Sequence, residues 1–243
     1  MENTKKSIPI SSIFFILYFV ANVVRVILNV ISTIQTYSSM GAAGVATAPN
    51  AIAPTIIVNI FVILPLLPFL LMGFFTFKTN KKPSIGYIVC LVLSLVGPFF
   101  AILGSIANVA LAFATKPDLQ MISTLSTFIT QPLLFVALIF ALAYAIIAKV
   151  FKKPSKFFNF WFLFPIPFAI FFIAQVAASI INILLSFRMS ATSLGLYICA
   201  TLLFVIGFLF LTVAFFTVSN QFAKANKSLP VADEITQTAE TTE

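Results

Sequence analysis

The sequence predicts an all-α, polytopic integral membrane protein with six transmembrane helices, and three observations carry that prediction. The 243 residues are 61% hydrophobic and only 8% charged, so no stretch of ordinary soluble composition is long enough to bury a core of its own. Six apolar spans run roughly over residues 8–34, 51–77, 85–113, 122–150, 158–187 and 193–222. Each exceeds the about 20 residues that cross a hydrocarbon core of about 30 Å. The cations sit in alternate gaps between the spans, as short loops on one side of a membrane require.

The charges decide orientation. Lys5 and Lys6 precede the first span; Lys78, Lys81 and Lys82 follow the second; Lys149, Lys152, Lys153 and Lys156 separate the fourth from the fifth; Lys224 and Lys227 follow the sixth. These are eleven of the fourteen basic residues, against only Lys116 and Arg188 in the opposite gaps. The positive-inside bias therefore predicts cytoplasmic amino and carboxyl termini in a multi-pass protein. A net charge of +8 would suggest nucleic acid in a soluble chain, but cations confined to membrane-boundary loops build no nucleic-acid groove.

The organisation follows span by span. Residues 1–7 form a cytoplasmic amino terminus, 8–227 the six-helix membrane domain, and 228–243 a disordered acidic cytoplasmic tail. The first span is too long for the roughly 7–15 residue core of a signal peptide and reads as an uncleaved anchor. The second carries Pro65 and Pro68, the third Gly97-Pro98, the fourth Gln131-Pro132 and the fifth Pro165 and Pro167. Each proline removes a backbone donor and predicts a kink or an interruption. The tail holds Asp233, Glu234, Glu240 and Glu243 and lacks apolar mass to fold alone. Cys90 and Cys199 are expected as buried small apolar side chains at different depths, too far apart for a disulfide.

Basic clusters at Lys5-Lys6-Ser7, Lys81-Lys82-Pro83-Ser84 and Lys152-Lys153-Pro154-Ser155 each precede an odd-numbered span. That register suggests three parallel two-helix hairpin repeats, although positive-inside loops alone produce a similar period.

Polar residues inside the spans form stripes. Asn22, Arg25, Asn29, Ser32 and Thr36 follow one another at three or four positions, as do Gln175, Ser179, Asn182 and Ser186. Such spacing sets each group on one helical face, toward protein or water and away from lipid. Asn59, Asn108, Gln131 and Thr201 add polar groups in the other spans, all in the outer half of the membrane, whereas the inner half is rich in phenylalanine. The ligand-binding candidates are Asn22, Arg25, Asn29, Asn59, Asn108, Gln131, Gln175 and Asn182. Arg25 is the single charge within a span. It either snorkels toward the outer boundary or offers a cation to an outward-facing cavity, where its fork suits a carboxylate, phosphate or lipid headgroup.

The absences narrow the function. There is no histidine, and no Asp or Glu lies within a span. The usual proton relays, serine-histidine chemistry and histidine-bearing metal motifs have no residues to work with, and no glycine-rich phosphate loop occurs. The expectation is not an enzyme, with no catalytic residues, no metal and no cofactor. Two classes remain: a membrane component that binds or passes a small neutral or anionic solute without proton coupling, or a non-transporting scaffold, assembly or regulatory protein. The expected partners are the lipid bilayer, such a solute and other membrane proteins, with no nucleic acid.

Overall fold

A computed structural model describes residues 9–39, 57, 61, 63–78, 82–114, 119–187 and 191–228. The acidic tail from 229 onward, residues 1–8 and Asn59 lie outside the described residues. Among the described residues there is no strand. Helix α1 covers Ile10–Ser39, and α2, Leu67–Lys78, follows a 3-10 turn at Leu64–Leu66. Then come α3 Ile85–Ser94, α4 Val96–Ala114, α5 Leu119–Val150, a 3-10 helix at Lys156–Leu163, α6 Ile166–Ser186 and α7 Ala191–Lys227. Five stretches are long and apolar enough to cross a membrane, and the described part of the second span, Leu64–Thr76, is shorter. The chain is a multi-pass helical membrane protein.

The prolines act differently from one another. The third span is two helices, α3 and α4, joined at Leu95. Pro98 has no N–H to offer the Ser94 carbonyl, so the ladder stops there, and Leu95 N–H closes a tighter turn on Val92 O at 3.2 Å. In the fifth span Pro165 caps α6 and Pro167 occupies its first turn, positions where a missing N–H costs nothing; the prolines start a helix and do not interrupt one. Pro132 lies inside α5, which continues through it.

Helices successive along the chain are neighbours in the bundle. Helix α1 packs on α2, α2 on α3, α3 and α4 on α5, α5 on α6 and α6 on α7, and the ring closes where α7 meets α1. Ser11 Oγ donates to Gln221 Oε1 at 3.0 Å, and the Ser12 and Thr76 hydroxyls are hydrogen-bonded at 2.9 Å. Lys82 Nζ donates to Phe151 O at 3.1 Å. These contacts gather the start of α1, the ends of α2, α5 and α7, and the loops bearing Lys82, Lys152, Lys153 and Lys156 onto one basic face of the bundle.

A buried amide fastens that face. Asn226 Oδ1 accepts from Ser155 N at 3.0 Å, and its Nδ2 donates to Lys153 O at 3.2 Å. Asn226→Ala is expected to leave both backbone groups without these partners and to cost about 1–3 kcal/mol. Thermal unfolding in detergent checks this; an unchanged midpoint would show that water replaces the amide freely.

Above the basic face the interior is aromatic. Phe168 and Phe215 stack at 3.9 Å, Phe15 meets Phe215 edge-on at 5.3 Å, and Tyr144 stacks on Phe164 at 4.4 Å. Tyr144 Oη donates to Ser219 O at 3.0 Å. In lipid, apolar burial gives no driving force between helices, so association rests on such packing and on interhelical hydrogen bonds. The bundle exterior shows aliphatic side chains such as Ile27, Ile173 and Leu184 together with phenylalanines such as Phe61 and Phe100. The phenylalanine-rich half is thus not uniformly a plug: Phe15 and Phe158 are fully buried, whereas Phe74, Phe160 and Phe162 face outward. Cys90 is buried, but Cys199 is exposed on α7, correcting the expectation that both pack inside.

Candidate functional site

A polar cleft opens between α1, α6 and α7 toward the end of the bundle opposite the basic face. Its depth follows from helical rise: Arg25 is 15 residues beyond the start of α1 at Ile10, about 22 Å along the axis. The cleft has a volume of about 180 Å³. That is below the roughly 300–1,000 Å³ of sites for drug-sized ligands and fits a small ion or group with a few waters.

Helix α1 contributes Arg25 and Asn29, one turn apart. Helix α6 contributes Gln175, Ser179 and Asn182, at spacings of four and three. Helix α7 contributes Tyr197, Thr201 and Phe204, with Ala200 leaving room between them. The guanidinium carbon of Arg25 stands 4.2 Å from the Phe204 ring centroid, a cation–π arrangement that holds the cation over the floor of the cleft. Phe204 rests edge-on against Phe208 at 4.6 Å, and Phe208 meets Phe171 at 4.8 Å. Aromatic packing therefore closes the cleft from below.

The hydrogen-bonding inventory is biased toward donation. Arg25 has donors and no acceptor, and three amide side chains bring N–H groups beside it. The Nε of Arg25 is buried and has no hydrogen-bond partner among the described residues. The Thr201 hydroxyl donates to Tyr197 O at 2.9 Å, which leaves its oxygen to the cleft as an acceptor beside the amide carbonyl oxygens. Among the described residues no carboxylate lines the cleft. Among the described residues no cluster of metal-ligating side chains occurs.

Of the sequence candidates, Arg25, Asn29, Gln175 and Asn182 come together in this cleft, joined by Ser179 and Thr201. Asn22 does not line it. Asn22 is fully buried one turn deeper, donates from Nδ2 to Tyr18 O at 3.0 Å and lies against Gly207 of α7. Gln131 is half-buried on α5 and does not line the cleft. Asn108 belongs to α4, but its side chain, like all of Asn59, lies outside the described residues. Tyr197 and Phe204 escaped the sequence reading. Their one available signal was the spacing of four and three around Thr201, which sets all three on one face of α7.

Compared with known proteins, the chain matches no family, no curated protein and no solved structure. The functional reading therefore rests on the cleft itself.

Proposed function

We propose that the chain is a solute-binding or solute-passing membrane component whose cleft takes a small anion, and that it works without proton coupling and is not an enzyme. One observation supports this most: a buried arginine Nε without a hydrogen-bond partner among the described residues, set beside three amides. A cation at membrane depth is costly, and a guanidinium held over an aromatic ring with a donor left open is suited to receiving a negative ligand. The chain has no histidine, and no carboxylate lines the cleft among the described residues; these are the groups that carry protons in coupled carriers. Anion binding should accordingly stay flat between about pH 5 and 8 for an anion that does not itself titrate there.

The test is thermal unfolding of the purified protein with halides, small carboxylates and inorganic phosphate, beside neutral amides and polyols. An anion at about a hundred times its Kd should add about 2.7 kcal/mol of stability. Stabilisation by neutral solutes alone would count against the reading.

Orientation belongs to the same proposal, with the basic face and both termini in the cytoplasm and the cleft opening outward. Reporters fused after Lys82, Lys153 and Lys227 should be cytoplasmic, and those near Ser39, Lys116 and Arg188 external. An external reporter at Lys153 would overturn the orientation.

A second reading, a non-transporting scaffold or regulator, draws support from an apolar groove of about 580 Å³ beside the helix breaks, lined by Phe61, Leu64, Pro65, Gly97 and Phe100. There a Cβ on Gly97 would stand 3.1 Å from the Pro65 Cβ. This reading is favoured if no solute changes stability.

A further inference from the structure

The connection between α5 and α6 is more ordered than a loop has to be. Asn226 fixes its start through Lys153 O and Ser155 N. Ser155 then caps the 3-10 helix Lys156–Leu163 by accepting from Phe157 N at 3.3 Å. Phe158 is fully buried against Tyr144, 5.8 Å between ring centroids. The opposite side shows Phe160 at 56%, Phe162 at 44% and Leu163 at 48% exposure, with Lys152, Lys153 and Lys156 exposed just before them.

Depth identifies the surroundings of this surface. The 21 residues of α6 already extend about 31 Å, the thickness of a hydrocarbon core. The preceding 3-10 helix is left at the boundary. The segment starts at the level of Asn226, and its Phe158 and the following Phe164 both lie against Tyr144, which bonds Ser219, seven residues and about 10 Å further along α7. A drop of that size would span the headgroup layer to the edge of the acyl chains. Cations stand at the upper end and bare aromatic and aliphatic side chains at the lower.

We infer that residues 152–163 form a binding surface for anionic phospholipid, with Lys152, Lys153 and Lys156 on the headgroup phosphates and Phe160, Phe162 and Leu163 among the acyl chains. Charge complementarity selects anionic over zwitterionic lipid, since each lysine near the surface is attracted to an anionic leaflet. The aromatic groups supply the interfacial anchoring common to membrane-boundary helices. The inference rests on membrane insertion and is independent of the cleft and its ligand.

Trp161 is the sole tryptophan of the chain and lies within this segment, so its fluorescence reports on the local lipid. The full-length protein is placed in lipid nanodiscs in which either phosphatidylglycerol or phosphatidylcholine carries brominated, quenching acyl chains at the same mole fraction. Brominated phosphatidylglycerol should quench severalfold more strongly at low salt, with the preference shrinking as salt screens the lysines. In the Lys152→Gln, Lys153→Gln, Lys156→Gln variant the preference should vanish while quenching by brominated phosphatidylcholine persists, which reports that the segment remains seated. Equal quenching by the two lipids in the unmodified protein at low salt would overturn the inference, as would a preference that survives the triple substitution.

Discussion

Arg25→Gln is expected to weaken anion binding by about ten- to a hundredfold, the loss that corresponds to about 1.5–3 kcal/mol for a charge-assisted hydrogen bond. Glutamine keeps a hydrogen-bonding side chain but removes the charge and the fork. The same variant should unfold at an equal or higher temperature without ligand, because it deletes a cation whose Nε is buried and unpaired. Reduced anion response with undiminished intrinsic stability separates a binding role from a packing role. Arg25→Lys should lose less affinity, keeping charge but not bidentate geometry. If Arg25→Gln instead destabilised the protein and left anion response intact, the arginine would be a structural element held by Phe204, which lies 4.2 Å from its guanidinium carbon.

Gly207→Leu is expected to destabilise the bundle strongly. A Cβ at Gly207 would lie 2.9 Å from Asn22 Nδ2, 3.6 Å from Ala21 Cβ and 3.7 Å from the Tyr18 ring. Asn22 has little freedom to retreat, since it is fully buried and bonded to Tyr18 O. A leucine there forces α1 away from α7, the pair that closes the ring and walls the cleft. Overpacking of this kind costs about 1–3 kcal/mol, and the close backbone approach that small residues give membrane helices is lost as well. Thermal unfolding in detergent should show a large fall in midpoint, and Asn22→Ala combined with Gly207→Ala should be milder than Gly207→Leu. An unaffected midpoint for Gly207→Leu would show that α1 and α7 do not meet closely at this point.

The polar stripes were legible because a period of 3.6 in an apolar background leaves few ways to arrange Arg25 with Asn29, or Gln175 with Ser179 and Asn182. What spacing does not encode is which face meets which neighbour. Asn22 shares the face of Asn29, about 20° apart around α1, but lies seven residues, about 10 Å, deeper. That depth takes it below the cleft and against Gly207. Gln131 shares the amide chemistry of the cleft, yet it belongs to α5, which is not one of the three helices that wall the cleft. Tyr197 and Phe204 were hidden for the opposite reason: an aromatic ring in an apolar span carries no contrast until a cation is found above it. The interruption of the third span was expected at Gly97-Pro98 and falls at Leu95, because a proline removes the hydrogen bond to the carbonyl four residues before it. The prolines of the fifth span read as breaks in sequence, but position within the helix decides their effect, and at the first turn they are starters.

The central claim is that a small anion occupies the cleft between α1, α6 and α7. The most direct measurement is a structure of the protein soaked with selenate, a strongly scattering oxyanion, with its anomalous signal mapped. The expected result is a peak beside the Arg25 guanidinium and within hydrogen-bond reach of Asn29, Gln175 or Asn182, absent in Arg25→Gln. Selenate found only among the lysines of the basic face, with the cleft empty at saturating concentration, would contradict the claim.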